Sequence, residues 1–79
     1  MTESKPFDFL NNSINKNVLV LMKGNIRVRG KLKAFDVHMN IVLEDAEKLN
    51  EDDSVAQKFG KVIIRGDTII LVSPYIKNN

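Results

Sequence analysis

Two short stretches concentrate the polar chemistry of this chain: Asp36-Val37-His38-Met39-Asn40 and Arg65-Gly66-Asp67. His38 is the only histidine. An imidazole can move a proton, hold a metal or stack as a flat ring. The amide of Asn40 carries both a donor and an acceptor. If the segment is extended, His38 and Asn40 share one side and Met39 points to the other, toward a core. Arg65 brings a planar cation suited to stacking. Gly66 permits a tight backbone beside it. Asp67 can accept a hydrogen bond and so orient Arg65 or Asn40. Asp36 is read as a brace for its loop.

Catalysis is the first reading to weigh. Hydrolysis needs a nucleophile with its base, a carboxylate pair in a cleft, or a metal cluster. With no cysteine and one histidine, thiolate zinc sites and histidine-rich metal sites within one chain are excluded. Asp36 and His38 have no evident third member. The expectation is a protein without enzymatic activity, cofactor or metal. Binding remains, with simpler alternatives for each residue. A loop histidine is often only a polar surface group. Asn40 can serve as a turn residue, and Asp67 can be turn chemistry.

The elements that must position these residues follow from periodicity. Residues 4–15 read as a short helix, with Phe7, Leu10 and Ile14 on one face, Pro6 in the first turn and Asn15 as a stop. NVLVLMK, from Asn17, reads as a strand buried on both faces. Gly24-Asn25 marks a turn. IRVRGKLKAF alternates strictly: Ile26, Val28, Leu32 and Ala34 face inward, and Arg27, Arg29, Lys31, Lys33 and Phe35 form a wet, basic face. Gly30, in its middle, marks a bend or bulge. A third strand follows with Met39, Ile41 and Leu43 inward. A polar, acidic loop centres on residues 50–54, within a variable segment of about 46–57. KFGKVIIR, Lys58 to Arg65, is a fourth strand, Gly66-Asp67 a tight turn, and TIILVS a fifth strand ending at Pro74. The fold class is therefore mainly β: a short N-terminal helix and a five-stranded, strongly bent antiparallel small barrel of the SH3-like or OB-like kind, in one domain over residues 1–79.

Charge and apolar patterning bear on partners. The net charge is only +2, yet six of the ten acids lie between Glu44 and Asp53, leaving a basic body elsewhere. Such a body suits a polyanion, although it also serves solubility. The basic face of the second strand has three readings: contact with a nucleic acid, a solvated face, or pairing with the acids of residues 44–53. In VIIRGDTIILV the apolar residues occupy both faces of both strands, which asks for a cover; a second copy, edge to edge, is the simplest. No apolar run approaches the ~20 residues of a membrane helix, and the N-terminus lacks the pattern of a secretory signal. A cytoplasmic protein without membrane contact is expected.

These residues carry a resemblance. The segment Val18–Asp45, with Gly30, Phe35-Asp36, Met39-Asn40 and the Leu43-to-Asp45 end, resembles the first motif of the Sm and LSm ring proteins, in the style of archaeal members. The segment from Val62, VIIRGDTII and on to about residue 73, resembles the second, around Arg65-Gly66. The bacterial branch lacks that Arg-Gly pair. The resemblance implies the Sm fold and rings closed by pairing the fourth strand of one subunit with the fifth of the next, most often homoheptamers. It implies that the loops Asp36–Asn40 and Arg65–Asp67 face a pore and bind single-stranded, uridine-rich RNA. There His38 and Arg65 would stack on a base and Asn40 would read the O4 and N3–H edge of uracil. Gly66 and Asp67 would shape and orient the pocket, and Asp36 and Met39 would support its loop. The implied role is in RNA processing or ribonucleoprotein assembly. Two alternatives stay open: an oligomeric protein scaffold without base-specific binding, and binding of single-stranded DNA.

Overall fold

The computed structural model describes residues 6–75. The chain runs α1 (Pro6–Asn12), β1 (Asn17–Met22), β2 (Ile26–Phe35), β3 (Ile41–Leu49), β4 (Val55–Ile64), a 3-10 turn η1 (Gly66–Thr68) and β5 (Ile69–Pro74). The strands form one antiparallel sheet in the order β4-β3-β2-β1-β5. β4 and β5 are its two edges, and they do not pair with each other among the described residues. The expected barrel is thus open along a seam between its fourth and fifth strands.

The core collects the inward faces of this sheet: Val18, Val20, Val28, Leu32, Ile41, Leu43, Ala46 and Ile64, capped by Leu10 of α1. Ile14 packs against the same cluster, so two of the three expected helix contacts are in place; the side chain of Phe7 lies outside the described set. The helix stops at Asn12, three residues before Asn15. Asn15 itself adopts φ 69°, a left-handed conformation that asparagine tolerates. Beyond the helix the backbone serves β2 instead. Asn15 N–H donates to the Leu32 carbonyl at 2.7 Å, and Leu32 N–H donates to the Lys16 carbonyl at 3.0 Å.

Strict alternation fails in two places, both at bulges. The β2–β3 register slips between Leu32 and Ala34, so one extra residue, Lys33, reverses the faces that follow. Ala34, expected inward, is exposed, and Phe35, expected on the basic face, packs against the core. The register slips again between Arg29 and Lys31 opposite Glu44–Glu47. There Asp45 takes φ 54°, and the sheet folds so closely that a Cβ on Gly30 would meet Leu43 Cβ at 3.1 Å and Ala46 Cα at 3.2 Å. Gly30 marks the bend because the neighbouring strand leaves it no room.

β3 ends at Leu49 and the acidic loop occupies residues 50–54, both as expected, but β4 begins at Val55, three residues before Lys58, so most of the variable segment of about 46–57 is strand. β-pairing of Glu47, Lys48 and Leu49 with Lys58, Gln57 and Val55 absorbs the remainder. Two of the four cations of β2, Arg27 and Arg29, pair with these acids. Arg27 pairs with Asp53 at 2.7 Å. Arg29 pairs with Glu47, lies over the Tyr75 ring at 4.9 Å and donates to the Tyr75 hydroxyl at 2.9 Å. Lys33 donates to Asn15 Oδ1 at 2.8 Å. No helix among the described residues is long and apolar enough to cross a membrane.

Candidate nucleic-acid interface

The link between β2 and β3 is a turn rather than an extended segment. Met39 N–H donates to the Asp36 carbonyl at 3.0 Å, and Asp36 N–H donates to the Asn40 carbonyl at 3.1 Å. Met39 has φ 66°. The reasoning from alternate residues therefore does not apply, although its outcome partly does: Met39 packs against the core and His38 is exposed. Asp36 organises the turn. Its Oδ1 accepts the His38 N–H at 2.9 Å and the Asn40 N–H at 3.1 Å, and its Oδ2 accepts from Asn40 Nδ2 at 3.0 Å. The side-chain amide of Asn40, then the backbone N–H groups of Asn40 and His38, hold this carboxyl below the usual aspartate range.

The link between β4 and β5 closes on the same asparagine. Gly66 N–H donates to Asn40 Oδ1 at 2.8 Å. A Cβ at Gly66 would lie 2.0 Å from the His38 carbonyl oxygen and 2.8 Å from the Met39 carbonyl carbon. Gly66 does not have a positive φ; glycine is required here by close approach, not by an unusual conformation. The expected two-residue turn is a 3-10 turn, in which Thr68 N–H and Oγ1 donate to the Arg65 carbonyl at 3.1 Å and 2.7 Å. Arg65 Nη2 meets Asp67 Oδ2 at 2.8 Å, so Asp67 orients the arginine and not the asparagine.

These contacts fix the Asn40 amide in one orientation. An ionised carboxylate only accepts and a backbone N–H only donates, so Nδ2 must face Asp36 and Oδ1 must face Gly66. Among the described residues, one Nδ2 hydrogen and one Oδ1 lone pair remain unused. A cleft of about 460 Å³ opens beside Asn40 and Arg65, with Asp36 on its rim and Ala34, Phe35, Val42 and Ile63 as its apolar part. Of the residues picked from sequence, Asn40, Gly66, Asp36, Arg65 and Asp67 are thus joined by direct bonds or a shared cleft. His38 stands on the same turn but does not line that cleft. Val42 and Ile63 were not singled out as site residues. They are register partners on β3 and β4, and the signal for Ile63 was the apolar residues on both faces of VIIR.

Residues 8–74 match the LSM domain family. An snRNP Sm-like protein of Methanosarcina barkeri is 49% identical over 71 residues, which is 90% of this chain and 97% of that protein. Among solved structures, the Pyrococcus abyssii Sm protein in complex with a uridine heptamer superposes with a TM-score of 0.86 at 39% identity, covering 91% of this chain and all of that one. The P. aerophilum SmAP1 heptamer superposes with a TM-score of 0.85 at 34% identity, covering 96% of this chain and 100% of the other. A match across nearly all the described residues, with relatives of the same length, places this chain in the LSM domain family of Sm-like proteins.

Proposed function

We propose that this protein assembles into a ring, a heptamer as in its solved relatives, and binds single-stranded, uridine-rich RNA at one pocket per chain, acting in RNA processing or ribonucleoprotein assembly by binding and not by catalysis. The observation that carries the reading is the locked amide of Asn40. Its free N–H suits the O4 of uracil and its free lone pair suits N3–H. Cytosine presents the reverse pattern at that edge. Accepting it requires turning the amide, which would set Oδ1 against the Asp36 carboxylate and Nδ2 against the Gly66 N–H. Arg65, held by Asp67, and His38, exposed on the Asn40 turn, supply planar groups that can stack on a base. Each stacked base contributes roughly 1–3 kcal/mol, so a single pocket is weak; a ring threads several pockets onto one strand and gains avidity.

The test is the ratio of oligo(U) to oligo(C) affinity in the wild type and in Asp36→Asn. The wild type should prefer oligo(U) by tenfold or more. In the variant a second amide replaces the acceptor-only carboxylate, the Asn40 amide is free to turn, and the preference should narrow severalfold while the ring persists. A variant that discriminates as the wild type does would remove the locked amide as the reader. A wild type that ignores oligo(U) leaves the protein-scaffold reading.

A further inference from the structure

We propose that the cleft beside Asn40 seats the methyl group of 5-methyluracil, so that thymine-type bases bind there more tightly than uracil; this rests on the function proposed above. The lining has two rows. Ala34, Val42 and Ile63 are register partners in one line across β2, β3 and β4. Asp36, Asn40 and Arg65 stand two positions further along the same three segments, which sets a polar row roughly 6–7 Å from the apolar one. All six residues line the one cleft.

A pyrimidine is divided in the same way. Its O4 and N3–H edge is polar, N1 carries the sugar, and C5 and C6 carry only hydrogen. With the polar edge on the locked amide of Asn40, the C5–C6 side is the part suited to the apolar row. A methyl group at C5 leaves O4 and N3–H unchanged, so the hydrogen bonds that reject cytosine do not reject thymine. Only a steric or polar obstacle at C5 could, and the described residues of that row offer neither. Ala34 contributes a single methyl, Val42 and Ile63 are apolar, and Ile63 is 73% exposed. The cleft, at about 460 Å³, has room beyond an unsubstituted ring. Taking one methyl group out of water against this row corresponds to about fourfold tighter binding per base. The same base occurs as 5-methyluridine in RNA and as thymidine in DNA.

The experiment compares affinities for heptamers of uridine, 5-methyluridine, deoxyuridine and thymidine at fixed salt, on the wild type and on Val42→Thr. Mass and circular dichroism check that assembly and fold are the same. The readout is the ratio of methylated to unmethylated affinity within each sugar, which a general loss of affinity does not mimic. The wild type should favour 5-methyluridine over uridine by about fourfold or more. Val42→Thr keeps the shape of the floor and puts a hydroxyl on it, and should bring that ratio close to one. With the ribose gain in hand, the deoxy pair identifies the source. The same gain with thymidine opens the pocket to single-stranded DNA, and failure of both deoxy strands confines the methyl seat to RNA. A wild-type ribose ratio at or below one, or a gain that Val42→Thr leaves intact, overturns the methyl seat while the uridine reading stands. If the wild type binds neither the uridine nor the 5-methyluridine heptamer, both fall.

Discussion

In the proposed function Asn40 reads a base because it cannot turn, and that immobility comes from two neighbours of opposite character, the Asp36 carboxylate and the Gly66 N–H. The type and spacing of these residues were legible in the sequence; their bonding was not. A motif places an aspartate four residues before an asparagine, but only the turn, with Met39 at positive φ, brings three donors onto that carboxylate. Sequence likewise left Asp67 between two partners, and the distance assigns it to Arg65. A pH dependence belongs to this scale. The folded Asp36 carboxyl titrates below its ordinary value because Asn40 and His38 donate to it. Its contribution is complete above the unfolded-chain value, about pH 4, and is lost as pH falls through the lower folded value. The backbone amides of His38 and Asn40 should therefore stay protected from hydrogen exchange from neutral pH to about pH 5, and lose that protection only in stronger acid. Loss of protection centred near neutrality would mean that another group orders the turn.

At the scale of elements, two loops from distant parts of the chain are pressed together, and Gly66 is where they touch. Gly66→Ala would drive a methyl group into the His38 carbonyl. Because the obstacle is backbone, the turns must separate, and the Gly66-to-Asn40 hydrogen bond goes with them. The variant should stay folded, since the nine-residue core cluster does not include Gly66. It should melt several degrees lower and bind oligo(U) at least tenfold more weakly. Unchanged binding, measured by fluorescence anisotropy, would mean that the contact between the loops is incidental. Element order was readable because five segments switch to strand periodicity after one helical stretch. The bulges at Lys33 and Asp45 were not, because an extra residue leaves no mark in an alternating sequence until the partner strand is known. That is why Ala34 and Phe35 exchanged faces. Nor could spacing reveal that Arg29 and Tyr75, 46 positions apart, meet at 2.9 Å.

For the whole molecule the two unpaired edges decide what the protein is. A chain this small, without cysteine, leaves Ile63, Ile70 and Leu71 more than half exposed, an arrangement that favours assembly over a lone subunit. The double-faced apolar strands gave this away before any fold was known; what they did not show was that β4 and β5 form the two opposite edges of one sheet. Charge is apportioned at this scale too. The acids of residues 44–53 are partly neutralised by Arg27 and Arg29, while Arg65 pairs with its own neighbour Asp67. The most direct measurement is native mass spectrometry of the wild-type protein at fixed salt, alone and with heptameric oligo(U) or oligo(A). The account predicts a closed ring, seven chains by analogy with the solved relatives, that takes up one oligo(U) strand and leaves oligo(A) largely free. A lone chain, or a ring that ignores oligo(U) or takes both strands equally, would contradict it.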